Sequence, residues 1–354
     1  MKPGVVFGDD YAALVENSKA KGFALPAVNV VGTNSINAVM EAAAKNRSDV
    51  IIQFSNSGAQ FYAGKSLEDG FGAKVLGAVS AAQHVHLLAE HYGICAILHT
   101  DHADKKLIPW VEALVEESRK NIAKTGVPLY SSHMLDLSGE DIDFNLDTCA
   151  RVLKDMAPMG MSLEIELGVT GGEEDGVGAD VDDDFENPSL YTQPEDVLKA
   201  YDLLMPLGHF SVAASFGNVH GVYKPGNVKL RPEILKASQD MVQAARSTAT
   251  NPLNFVFHGG SGSEKAKIEE AVGYGVFKMN IDTDTQFAFS EAIGAYVGEH
   301  SDAFKWQVHP ETGTPFKKQY DPRAWLRKCE QALVTRLDEA FDDLGSKGHS
   351  MASA

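Results

Sequence analysis

An eight-fold β/α barrel is the fold class the sequence predicts, and three observations predict it. Short apolar runs alternate strictly with longer amphipathic stretches, the pattern of a parallel sheet with crossover helices. About eight such pairs fill roughly 300 residues, which suits a closed barrel better than an open doubly wound sheet. Nearly every apolar run also ends in a polar residue able to bind a ligand, at the rim where barrels build their sites. An open dinucleotide-binding sheet needs G-x-G-x-x-G directly after its first strand. Asn29-Val30-Val31-Gly32-Thr33 does not supply it.

The first strand covers 24–29 and ends on Asn29, before a helix over 35–45. Strand 50–55 ends on Ser55 and precedes a helix over 73–91, and strand 95–100 runs into Asp101-His102 before a helix over 107–124. Strand 129–136 ends on Asp136 and is followed by a helix over 145–156. Strand 162–168 carries Glu164 and Glu166 and opens a loop over 169–193, ahead of a helix over 194–205. A loop that long in a compact domain is a lid or a disordered insert. Strand 210–217 leads past Asn218 to a helix over 232–246. Strand 254–258 ends at His258-Gly259 before a helix over 264–274, and strand 276–282 ends with Asn280 and Asp282 before a helix over 285–297. Residues 301–319 read as loop. A final helix from 321 aligns Trp325, Cys329, Leu333, Leu337 and Phe341 on a stripe that packs on the barrel or on a partner subunit. Residues 1–346 form a single domain, and the small polar tail 347–354 is expected to be disordered.

The 354 residues are 44% apolar and 23% charged, enough for a sizeable core and too apolar for a disordered chain. A net charge of −18 opposes binding to nucleic acid or to an anionic membrane surface. An anionic substrate must therefore be captured by local groups. Three scattered cysteines with no C-x-x-C pair argue against a disulfide framework and for a reducing compartment. No apolar run reaches the roughly 18 residues of a spanning helix, and the first residues lack a leader pattern. The expected location is the cytoplasm.

Of the twelve histidines, His84 and His86 sit two apart on a helix and point away from each other, so they cannot chelate one ion. His102, His220 and His258 each follow a different strand on the same rim. Three converging imidazoles make an open zinc site with a position left for substrate. Asp101 and His102 can both reach the site only if their strand ends near Thr100, because strand neighbours face opposite ways. Glu164 and Glu166 share one strand face and need a cation if they point into the barrel. Lys278, opposite Phe277, Met279 and Ile281, is a candidate partner for Glu164; a metal with Asp136 as co-ligand suits Glu166. Gly259-Gly260-Ser261 and Asn280-Ile281-Asp282-Thr283 each open a helix after the last two strands, where barrels bind phosphate.

Five segments carry a resemblance: Leu98–His102, Ser162–Gly168 with Gly171–Gly176, Ser215–Gly221, Phe257–Gly262 and Lys278–Thr283. In this order they closely resemble the class II fructose-bisphosphate aldolases, in the longer type A branch, and the likeness runs from about Gly4 to Leu344. The resemblance implies a homodimeric zinc lyase of glycolysis and gluconeogenesis. It would interconvert fructose 1,6-bisphosphate with dihydroxyacetone phosphate and glyceraldehyde 3-phosphate through a zinc-stabilised enediolate. By motif, His102, His220 and His258 resemble the catalytic zinc ligands, and Asp136 with Glu166 a second metal pair. Asp101 resembles the proton donor to the aldehyde oxygen, and Glu174 the base acting on dihydroxyacetone phosphate. Gly221, Gly259, Gly260, Ser261, Asn280, Ile281, Asp282 and Thr283 match one phosphate site, with a monovalent cation often nearby, and Asn29 is placed in the same substrate pocket. Ser55, with Arg323 lent by the other subunit, matches the second phosphate grip. The acidic stretch 180–186 departs from the family and bears on the length and order of the lid. The rivals are a tagatose-bisphosphate aldolase, separable by rates on the two ketoses, a metal-dependent barrel hydrolase, which needs no phosphate grips, and a non-catalytic barrel.

Overall fold

The computed structural model describes residues 1–174, 177–179, 191–220, 230–260 and 263–353. Strand β1 (Gly4–Val5) and helix α1 (Gly8–Lys21) precede the first barrel strand, β2 (Leu25–Asn29), and its helix α2 (Thr33–Asn46). Next come β3 (Val50–Phe54), α3 (Asn56–Ala63), α4 (Gly70–Tyr92), β4 (Cys95–Thr100) and α5 (Ile108–Thr125). The middle of the chain forms β5 (Ser132–Leu135), α6 (Ile142–Met156), β6 (Ser162–Leu167), then β7 (Gly171–Glu174), β8 (Val177–Ala179) and α7 (Pro194–Leu204). The last third holds β9 (Phe210–Ala214), β10 (Val219–His220), α8 (Glu233–Arg246), β11 (Phe255–Phe257), α9 (Lys265–Gly273) and β12 (Val276–Ile281). Helices α10 (Thr283–Glu299), α11 (Lys317–Tyr320) and α12 (Pro322–Asp343) complete it.

Strands β2, β3, β4, β5, β6, β9, β11 and β12 pair in parallel in that order, and β12 pairs back to β2. The closed ring is the barrel the alternation predicts. Both faces of each strand are covered, which explains runs such as Val50-Ile51-Ile52 with no polar alternation. Outward residues such as Ile52, Leu98 and Ile165 join the large core under the helices. Inward residues Leu25, Ala27, Ile51, Ile97 and Val256 form a second core, which Tyr11, Leu14 and Val15 of α1 close from below. Above it the interior turns polar. The barrel is apolar at its floor and charged at its rim.

Four features differ from the sequence expectation. Helices α1 and α3 are not anticipated by the sequence, nor is the short α11, whose first residues fall in the 301–319 stretch that reads as loop. The 169–193 loop is not structureless: β7 pairs antiparallel with β8 and parallel with β10. Asp175, Gly176 and the 180–186 stretch lie outside the described residues. Phe277 packs in the inner core with Val256 although it should face outward. The register between β11 and β12 jumps from Phe255↔Val276 to Val256↔Lys278, so Phe277 is an extra residue and the faces shift by one there. Finally, the tail beyond 347 is tied down, not free. Ser350 Oγ and the Met351 N–H donate to the buried Asp49 carboxylate at 2.7 and 2.8 Å, and Ser353 N–H donates to the Met1 carbonyl.

Candidate active site and metal centre

Strand β4 ends at Thr100, so the chain is free to turn there, and His102 takes a φ of +29°. That uncommon backbone lets two neighbours, Asp101 and His102, both point inward and both be buried. His102 lies against His258, which follows β11, with ring centroids 4.7 Å apart and planes at 70°. Its Nδ1 is 3.3 Å from Asp136 Oδ2 and 3.9 Å from Glu166 Oε2, and His258 Nδ1 is 3.8 Å from the same Glu166 oxygen. Ligand atoms of Asp101, His102 and His258 lie within 4.8 Å of one another, and so do those of His102, Asp136 and Glu166. One histidine therefore belongs to two adjoining clusters.

The electrostatics of these clusters call for a cation. Burial works to raise the Asp136 carboxyl, but the His102 hydrogen bond and charge, with Ser138, outweigh it and hold it at about 2. Burial and then the Asp136 charge push Glu166 well above the usual carboxylate range. Partly exposed Asp136 and buried Glu166 are thus pushed in opposite directions, and a positive charge between them would favour the ionised form of both. Among the described residues, no donor reaches Glu166 Oε2 at hydrogen-bond distance. Burial keeps His258 below its ordinary value and hence neutral, the form that ligates metal. The donor set, mixed imidazole and carboxylate oxygen, fits a zinc-like divalent ion.

A family model described as fructose-bisphosphate aldolase class-II matches residues 9–349. A fructose-bisphosphate aldolase of Edwardsiella ictaluri is 53% identical, covering 97% of this chain and 96% of its own. A fructose-bisphosphate aldolase class 2 of Escherichia coli K12 is 52% identical over 98% of this chain and 97% of its own. The crystal structure of the Campylobacter jejuni fructose-bisphosphate aldolase superposes with a TM-score of 0.89 at 52% identity, covering 98% and 97% of the two chains. This chain belongs to the class II fructose-bisphosphate aldolases.

Within this aldolase the remaining candidates fall unevenly. Asp101 sits in a cage of amides: Asn29 Nδ2 at 3.1 Å and Gln53 Nε2 at 3.0 Å donate to Oδ2, and Asn280 Nδ2 at 3.1 Å donates to Oδ1. Gln53 also donates to Asn29 Oδ1. Asn280, expected at a phosphate, thus spends its side-chain amide on Asp101. Gln53 was not singled out from the sequence. Its signal was there: a glutamine inside an apolar strand, two residues before Ser55 and in phase with the inward Ile51.

The phosphate candidates are placed as backbone. Gly259 has φ +61°, and a Cβ on Gly260 would sit 2.2 Å from Met279 Cε, so a side chain there would have to displace Met279. The Ile281 side chain is buried in the outer core, so only its backbone could serve a ligand. Asp282 precedes α10, where its carboxylate accepts from Gln286 Nε2 at 2.8 Å, and Thr283 begins the helix. Ser55 caps α3: its Oγ accepts from the Gly58 N–H at 3.1 Å. Arg323 is exposed at the start of α12, its guanidinium on Asp321 at 2.8 and 3.1 Å. Gly221 and Ser261 lie outside the described residues, as do the side chains of His220 and Glu174. Their backbones are related, since β10 pairs with β7 and sets His220 opposite Gly172. The two helix histidines each find a protein partner. His84 Nε2 meets Asn37 at 2.9 Å and His86 Nε2 meets the Leu129 carbonyl at 2.9 Å. No helix among the described residues is long and apolar enough to cross a membrane.

Proposed function

We propose that this aldolase cleaves fructose 1,6-bisphosphate reversibly, with a catalytic zinc held by His102, His220 and His258 and a second divalent ion held by Asp136 and Glu166. The observation that carries it is the buried meeting of His102 and His258 beside Asp101, with His258 directly before Gly259 in the chain. A divalent ion bound there supplies Lewis-acid polarisation of the ketose carbonyl next to the breaking bond.

The chain's own residues handle the protons. As the bond between C3 and C4 breaks, Asp101 takes the proton of the C4 hydroxyl, and C4 leaves as the aldehyde. Glu174 then delivers a proton to the carbanionic carbon of the other fragment, giving dihydroxyacetone phosphate. In condensation both transfers reverse. The three amides around Asp101 fix its carboxylate in place, which orients it for proton transfer. One phosphate rests on Gly221, Gly259 to Ser261 and the peptides from Asn280 to Thr283, with a monovalent cation beside it. Ser55 and an Arg323 from a second copy of the chain grip the other. Local capture of this kind answers the repulsive field of a −18 protein. Three buried free cysteines support a reducing, cytoplasmic setting.

The test is a coupled cleavage assay on protein stripped with a chelator. Activity should vanish and return with Zn²⁺. Activity that survives full metal removal, or borohydride inactivation that labels Lys278 in the presence of substrate, would mean a Schiff-base route instead.

A further inference from the structure

Below the rim, Lys278 and Glu164 form an ion pair whose side chains are each 2% exposed. Lys278 Nζ reaches both Glu164 oxygens, Oε2 at 2.7 Å and Oε1 at 3.0 Å. Glu164 Oε1 also accepts from His258 Nε2 at 2.8 Å, while Oε2 lies 3.5 Å from His99 Nε2. His99 is itself held by Ser132 Oγ, 2.7 Å from its Nδ1. His99, Asp101 and Glu164 could have formed a further cation site. The ammonium of Lys278 already takes the cation's place at Glu164.

The consequence is directional. With Nε2 engaged by Glu164, the His258 ring turns Nδ1 upward, toward Glu166 and the His102 ring. We propose that Glu164, clamped by Lys278, is the positioning residue that locks His258 with Nδ1 facing the metal cluster, and so sets how tightly the site holds its divalent ion. The two charges are otherwise a poor investment. A buried ion pair contributes little net stability compared with apolar residues of the same shape. A carboxylate bonded to the far nitrogen of a ligating imidazole, by contrast, fixes tautomer and ring orientation and strengthens the ligand. Lys278 supplies the opposite charge that a carboxylate needs at that depth.

This inference rests on the reading of His258 as a metal ligand, and the experiment separates the two. Zinc dissociation constants would be measured by chelator competition on metal-free protein, with the absorption spectrum of the Co²⁺ form as a second readout. Two double variants keep the interior free of unpaired charge. Glu164→Leu with Lys278→Met has no acceptor for His258, whereas Glu164→Gln with Lys278→Met keeps one. The first should bind zinc about 10–100-fold more weakly than the parent, with an altered Co²⁺ spectrum. The second should recover most of the affinity and the parental spectrum. Equal affinity and equal spectra for the two doubles would overturn the proposal, whatever their stability. A third variant, His258→Ala, guards the premise: if it leaves zinc affinity unchanged, His258 is no ligand, and the proposed function fails with it.

Discussion

In the proposed mechanism Asp101 and Glu174 would divide the proton work between a residue held by three amides and one carried on a strand beside the barrel. The Asp101 cage is built from β2, β3 and β12, three neighbours in the ring, so its carboxylate has little freedom to reorient. Glu174 closes β7, two residues beyond the Gly172 that pairs with His220. Glycines at 171, 172 and 176 flank it, which suits a base that arrives with a moving segment. Glu174→Ala should keep zinc and substrate binding while kcat falls about 10²–10⁴-fold, the usual loss for a missing general base. Exchange of the dihydroxyacetone phosphate proton, followed by NMR, should fall in parallel, and Glu173→Ala should cost far less. Equal losses from the two changes would move the base elsewhere. At this scale the sequence was most legible where a side chain's chemistry is rare. Histidines and carboxylates at strand ends stand out, and so does a lysine in an apolar strand. Gln53 did not, because an amide inside a strand carries no reactive signature until its partner is seen.

Elements were legible in proportion to their length and periodicity. All eight barrel strands lie inside the runs the alternation marks, and β4 matches them end to end. Helix α3 escaped because Asn56, Ser57 and Gly58 read as turn. It forms through its cap and through close packing on α4, where a Cβ on Gly77 would stand 1.8 Å from the Ala59 carbonyl. The displaced face at Phe277 escaped because a bulge depends on the partner strand, not on local pattern. With the proposed phosphate grip, the cap would give Ser55 two duties that mutation can part. Ser55→Ala should lower stability by about 1 kcal/mol, the usual cost of a lost N-cap, and raise KM for the bisphosphate. Ser55→Asn keeps a good cap, so denaturant melts should return to the parental value while KM stays raised. If both variants bind substrate like the parent, Ser55 only caps.

Across the whole molecule, the rim and the floor carry separate tasks. At the floor, Asp49 accepts from Cys95 N–H at 3.2 Å as well as from Ser350 and Met351, joining β3, β4 and the final residues. Ser350→Ala removes one hydrogen bond to a charged group and should cost about 1–3 kcal/mol in urea unfolding, with kcat unchanged. Burial raises the Asp49 carboxyl above its ordinary range against the bonds that lower it. A folded-state value above the unfolded one gives stability that is fully present below the unfolded value and is lost as pH rises through the raised one. Asp49→Asn should therefore flatten the mildly acid part of the stability profile. The proposed dimer would act at the rim. Arg323→Ala should raise KM for the bisphosphate without loosening zinc, and full activity from demonstrably monomeric protein would contradict an arginine lent between subunits. The tail escapes sequence reading because small polar residues look unstructured until a buried carboxylate needs their donors.

The central claim is that histidines from three strands hold one ion at the rim. Anomalous diffraction at the zinc edge from crystals of the metal-loaded protein tests it most directly. The account predicts a peak about 2.0–2.1 Å from a ring nitrogen of each of His102, His220 and His258. A sole peak elsewhere, or one that any of the three fails to reach, would contradict it.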